Sequence, residues 1–179
     1  MKKSLFALAL LLGFAGTTFA QARTNLEVFQ DVSAQVTRYV NFTIFDSVSA
    51  SANDGVVTLS GKVTMPFKAS DIEKRVARVN GVTAVQNNIE VLPVSLFDDS
   101  LRLRIARALY SNSSLARYGL GTNPSIHVIV ERGRVTLDGV VSNEMDRMIA
   151  SSVARSFLAF EVKNELKTDA EMKQQIEKL

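Results

Sequence analysis

The stretch Gly55-Val-Val-Thr-Leu-Ser-Gly61 occurs a second time as Gly133-Arg-Val-Thr-Leu-Asp-Gly139, so that Gly55 answers to Gly133 and Gly61 to Gly139. In each copy an alternating run precedes the motif, a helical pattern follows it, and a further alternating run carries an Asn in the same place. Recurrence of a whole pattern at one spacing marks a duplicated supersecondary unit. The chain is therefore read as two copies of one small module.

Working outward from the first copy, residues 26–41 predict a helix, with Phe29, Val32, Val36, Tyr39 and Val40 on one stripe and Glu27, Asp31 and Arg38 opposite. Val48, Ala50 and Ala52 then alternate with serines up to Asn53-Asp54-Gly55, and Val57 and Leu59 alternate beyond it. Asp-Gly between alternating runs predicts a tight hairpin, because glycine accepts the positive φ such a turn needs. Pro66 suits a first helical turn, and Ile72, Val76 and Val79 predict a helix to about Asn80, ended by Gly81. Val85, Asn87, Ile89 and Val91 predict a third strand.

The second copy repeats this order. Phe97, Leu101, Ile105, Ala108 and Leu109 predict the inward stripe of its first helix, and Ile126, Val128, Val130, Val135 and Leu137 its hairpin. Met148, Ile149, Val153 and Phe157 mark its second helix, and Val162, Asn164 and Leu166 its last strand. The expected class is α+β: two tandem α-β-β-α-β modules, at 26–93 and 95–168, each a three-stranded mixed sheet covered on one face by two helices. Covering the other sheet face falls to the sister module. A charged tail, 169–179, with Met172 and Ile176 at i, i+4 predicts an additional amphipathic helix or a frayed end.

The first twenty residues read as a cleavable signal peptide: Lys2-Lys3, an apolar run from Leu5 to Phe14, and small residues up to Ala20 or Ala22. That predicts export to the periplasm, with no spanning helix in the mature chain. With no Cys in 179 residues, disulfides and a lipidated N-terminal cysteine are excluded, and one His leaves no soft-metal site. Removing Lys2 and Lys3 lowers the formal charge from +3 to +1, which gives no general affinity for nucleic acid.

The repeated elements together resemble the BON domain family, through Gly55–Gly61 with Val85-Gln86-Asn87-Asn88-Ile89 and Gly133–Gly139 with Val162-Lys163-Asn164-Glu165-Leu166. The resemblance implies an α/β sandwich per domain. It also implies a non-enzymatic periplasmic envelope protein, linked to osmotic or envelope stress, that binds phospholipid membranes or envelope partners. One departure is that Leu158-Ala159 stands where the first copy has Gly81.

The motif glycines are expected to be structural, and Asn87 and Asn164, in phase with core residues, to tie the strand to a loop or helix end. His127 alternates outward without partners, and Asp98-Asp99 fits a helix start better than an acid pair, so no catalytic residue, cofactor or metal site is expected. The copies differ most in their first helices. In the second, Leu103 and Tyr110 face away from the core, flanked by Arg102 and Arg107, with Arg104 nearer the seam. Apolar groups bordered by arginine suit an anionic lipid surface. The following connection, from Leu109 to Ile126, is also longer than its counterpart from Val40 to Val48, and it holds Leu115, Arg117 and Tyr118. These eight side chains form the expected contact with anionic phospholipid or an envelope protein. An alternative is a chaperone or adaptor that recognises polypeptides on uncovered sheet faces.

Overall fold

The computed structural model describes residues 23–121 and 123–177. The expected signal peptide lies outside the described residues. The first module runs α1 (Asn25–Thr37), β1 (Ser47–Asn53), β2 (Val56–Val63), α2 (Pro66–Val76) and β3 (Ala84–Val91). The second runs α3 (Leu96–Ser111), β4 (Ile126–Glu131), β5 (Arg134–Val141), α4 (Glu144–Arg155), β6 (Glu161–Asn164) and β7 (Lys167–Thr168), and α5 (Asp169–Ile176) follows. The fold is α+β with two mixed sheets, in which β1 pairs antiparallel and β3 parallel with β2. In the second sheet β4 and β6 flank β5 likewise, and β7 extends the parallel edge.

The hairpins turn through Asp54-Gly55 and Arg132-Gly133, all four at positive φ, which matches the twist of paired strands. Gly61 and Gly139 serve a different need. A Cβ there would lie 2.1 Å from the Ser47 carbonyl oxygen and 2.0 Å from that of Ser125, so only glycine lets the strands meet. Each module then closes its own core. Val28, Val32 and Val36 of α1 meet Val57, Leu59, Ile72 and Val76, while Leu101, Ile105 and Leu109 of α3 meet Val128, Leu137, Ala150 and Ala154.

The strand asparagines do what their phase implies. Asn87 donates to the Ala69 carbonyl at 3.2 Å and to Glu73 at 2.9 Å, and Asn164 donates to the Arg147 carbonyl at 2.9 Å. The Asn87 and Asn164 carboxamide oxygens accept the Ile89 and Leu166 amides, so one side chain fastens strand to helix in each module.

Several expectations need correction. Helix α1 ends at Thr37, so Val40 lies beyond it and is exposed while Val28 takes its place in the core. Helix α2 ends at Val76, and Val79 reaches the core from the turn after it. Phe97 and Met148 are exposed rather than inward. Val36, not Val40, is the core counterpart of Leu109, so the insertion before β4 is shorter than the comparison with Val40 suggests.

The modules touch asymmetrically. The segment between α1 and β1 lies against the second module: the Val128 amide donates to the Ile44 carbonyl at 2.7 Å, and Ile44 and Phe45 pack on its core. Phe42 stacks on His127 with centroids 5.4 Å apart, Ser47 donates to Asp138, and Lys62 pairs with Glu131. Ile129, on the outer face of the second sheet, is buried. On the first sheet the outer face is polar and uncovered, with Ser51 and Ser60 exposed.

Candidate functional site

The eight residues singled out in the second module do not form one surface. Arg102 is 5% exposed, its guanidinium donating to the Val130 carbonyl at 3.0 Å and pairing with Asp99 at 3.2 Å. Leu115 is fully buried, because the inserted residues fold back as a 3-10 turn (Ala116–Gly119) that plugs the core. Tyr118 is buried beside it and donates to Asp146 at 2.6 Å, and Arg117 pairs with the same carboxylate. Tyr110 is half-buried against Gly119 and donates to the Ile126 carbonyl, and burial pushes its phenol up to about 12. The placement of Tyr110 and Arg102 on a face turned from the core is thus corrected. Of the eight, Leu103, Arg104 and Arg107 remain exposed and available on α3.

That remnant runs into a surface that lies at the end of the second module. Three pieces converge there: the first turn of α3, the β4–β5 turn, and the chain between α4 and β6. Asp98, buried, accepts the Arg132 and Gly133 amides, each at 2.8 Å, and so clamps the helix start onto the turn. The Phe160 amide donates to the Gly133 carbonyl at 2.9 Å. Gly133 sits under two rings: a Cβ there would lie 2.6 Å from Phe160 and 3.5 Å from Phe97. Around this clamp Leu96, Phe97, Leu158 and Phe160 are 86%, 55%, 87% and 85% exposed.

Four large apolar side chains bared on one tip are unusual, since scattered exposed apolar residues are ordinary but clustered ones are not. Arginines border the cluster. The Arg104 guanidinium lies 5.5 Å from the Phe157 ring centre, Arg132 projects from the turn, and Arg155 ends α4. Asp99, Glu131 and Glu161 are the nearby acids, and they are engaged, Asp99 with Arg102, Glu131 with Lys62 and Arg132, and Glu161 with Arg134.

The first module supplies the comparison. There the Thr83 amide donates to the Gly55 carbonyl at 2.8 Å and Asn25 accepts the Asp54 amide at 2.8 Å, so the same scaffold is present. Aligned on these bonds, Arg23, Thr24, Gly81 and Thr83 stand where the second module has Leu96, Phe97, Leu158 and Phe160. One end is polar and the other apolar on a single architecture. The sequence carried the signal in the loss of glycine at Leu158, which reads there as a less certain helix end.

Among the described residues no group of three or more His, Cys, Asp and Glu could hold a metal ion, and no helix is long and apolar enough to cross a membrane.

Comparison with known proteins agrees with the duplication. Two solved structures of the type III secretion structural protein CdsD of Chlamydia trachomatis, one of its C-terminal domain, are 14% and 13% identical. The matches cover 77% and 82% of this chain and 97% of each of those, with a TM-score of 0.26 in both cases, too low to support an argument. No curated protein matches. The BON domain family model matches twice, over residues 30–93 and 98–170, the two halves that the repeated glycine motif defines, and the chain belongs to the BON domain family.

Proposed function

We propose that this is a non-enzymatic, exported protein of the periplasm whose second module docks on anionic phospholipid surface. Leu96, Phe97, Leu158 and Phe160 enter the headgroup boundary, and Arg104, Arg107 and Arg132 meet phosphates. The observation that carries this reading is the four-position exchange of polar for apolar residues between two otherwise matching module ends. BON domains are generally associated with phospholipid binding and envelope stress, and the signal-peptide pattern fits that setting. Leu103 extends the apolar surface along α3, whereas Arg102, Tyr110, Leu115 and Tyr118 support the module from within, and Arg117, itself exposed, pairs with Asp146.

The physics sets the strength. Each cation near an anionic surface adds about 1 kcal/mol, and each inserted side chain adds the burial of its exposed apolar area, so binding is reversible and weakens with salt. The test is co-sedimentation of residues 21–179 with anionic and zwitterionic vesicles. Wild type is expected on anionic vesicles only, with release as salt rises from about 0.05 M to about 0.3 M. Leu158→Asp with Phe160→Asp should reduce the bound fraction about tenfold, as should Arg104, Arg107 and Arg132 all changed to Ala. Equal sedimentation of wild type and both variants would remove the surface from the tip.

A further inference from the structure

The two edge strands, β1 and β4, are equivalent but treated differently. Ala50 pairs with Leu59, and at the corresponding place Val128 pairs with Leu137. In the second module the backbone at Val128 and Val130 points away from β5. The Val128 amide donates to the Ile44 carbonyl of the Thr43–Asp46 turn between α1 and β1, and the Val130 carbonyl accepts from Arg102. That edge is met twice over, by a turn carbonyl and by a guanidinium.

By the same register Val48, Ala50 and Ala52 turn their amides and carbonyls to the free side of β1. None of these groups has a backbone partner there among the described residues. Phe29 stands at the position of Arg102, and it cannot donate to an edge carbonyl. Nor does β1 carry guards in its own sequence: Ser47 to Asn53 contains no charge and no proline.

A cleft runs along this bare edge. Its wider part, about 460 Å³, is lined by Phe29 and Val36 of α1, Val48 and Ala50 of β1, and Pro124 and Met172 across the gap. A narrower part, about 130 Å³, continues past Ala52 to Ile176. The wider part is continuous with the contact between the modules, where Phe42 and His127 form its wall.

We propose that this cleft receives an extended polypeptide segment of a partner protein, uncharged at its centre, that adds as a strand to the edge of β1. The sister edge shows that a main-chain carbonyl is accepted there together with apolar side chains, since the Thr43–Asp46 turn gives the Ile44 carbonyl to Val128 and Ile44 and Phe45 to the core. The outward groups of β1 have no such neighbour among the described residues. Strand addition supplies affinity through main-chain hydrogen bonds and selectivity through pockets for alternate side chains. At β1 the pockets are shallow and apolar, between Phe29, Val36 and Met172, so the guest carries apolar residues at alternate positions. Helix α5 lies across the narrow end, so an entering strand displaces or slides beneath Met172 and Ile176. The site lies between the edge of β1 and the facing residues of the second module, and shares no lining residue with the apolar tip.

The experiment titrates residues 21–179 with a blocked synthetic peptide, Asn-Phe-Thr-Ile-Phe, copied from Asn41–Phe45, while amide resonances and exchange are followed. The expected result is protection of the Ala50 and Ala52 amides. Ala50→Pro removes an outward amide while leaving the β1–β2 ladder intact, and should weaken binding about tenfold with an unchanged melting temperature. The same peptide N-methylated at alternate residues should not bind the wild type, a comparison that holds even if Ala50→Pro fails to fold. Binding with no change at Ala50 and Ala52, or equal binding of the N-methylated peptide, overturns the proposal. So does a cleft that takes a saturated fatty acid but not the peptide.

Discussion

Asp98 shows how much one side chain decides here. Its carboxylate is buried and holds the Arg132 and Gly133 amides at 2.8 Å each, which fixes the first turn of α3 against a hairpin whose residues both sit at positive φ. Charge-assisted bonds to backbone amides are the strong kind, and losing them leaves two amides without acceptors. Asp98→Ala should therefore destabilise the second module by about 3 kcal/mol, read from denaturant unfolding. Asp98→Asn should lose less, because Asn25 already does the equivalent task in the first module with a single carboxamide bond to Asp54. If the two substitutions cost the same, a neutral carboxamide recovers none of the interaction, and the turn depends on the charge of Asp98 rather than on an acceptor of its shape. Asp46 does comparable work in the first module. Its buried carboxylate accepts from Thr43, Thr64 and Lys68, and although burial opposes ionisation, these donors hold it below the usual carboxylate range.

At the scale of the elements, the tip of the second module can be exchanged for that of the first without touching either core. Leu158→Gly with Phe160→Thr copies Gly81 and Thr83 onto a backbone that makes the same hydrogen bond to the turn glycine. Side chains this exposed contribute little to folding, so stability should change by no more than about 0.5 kcal/mol while vesicle binding falls. A large loss of stability would mean that the rings hold the tip together rather than serve a surface. The order of elements, the hairpins and most of the core were legible in the sequence because periods of 2 and 3.6 and the Asp-Gly turn are local signals. The site was less so. Phe97 is in phase with Leu101, but a side chain in a first helical turn leans toward the N-terminus, past the end of the sheet, and so reaches the tip. Periodicity also placed Arg102 on the outside. Its long apolar stem and a bare edge carbonyl at Val130 make burial tolerable, and that carbonyl is a fact of tertiary structure. Leu115 and Tyr118 read as an exposed loop because nothing local shows that an insertion folds back into the core.

For the whole molecule, the contact between modules is small, polar at its rim and built around one imidazole. Ser47 with Asp138 and Lys62 with Glu131 fasten the rim, and the bond to Glu131 raises the Lys62 pKa. At the centre His127 lies under Phe42, and its Nδ1 is buried without a hydrogen-bond partner. Burial disfavours the imidazolium and lowers the His127 pKa below 6.5, with Asp138, the Thr43 and Asp46 carbonyls and the Asp46 carboxylate opposing it incompletely. Lys167, which lines the same cleft, gives a second cation nearby. Because the folded chain holds this proton less tightly than the unfolded chain, folding releases it. The stabilisation is fully present above the unfolded pKa of about 6.5 and is lost as pH falls through that value toward the folded pKa. Asp46, with its lowered pKa, adds acid sensitivity only at still lower pH, since its contribution is lost below the usual carboxylate range. Melting temperature should therefore fall between about pH 7 and about pH 5 in the wild type and stay flat over that window in His127→Phe, which keeps a ring for Phe42 to stack on. Cleavage by a protease between residues 38 and 46 should rise over the same window, because this segment crosses the contact that the charged imidazole loosens. A flat wild-type profile would show that the modules are held by the rim pairs alone, and would leave His127 as a packing residue.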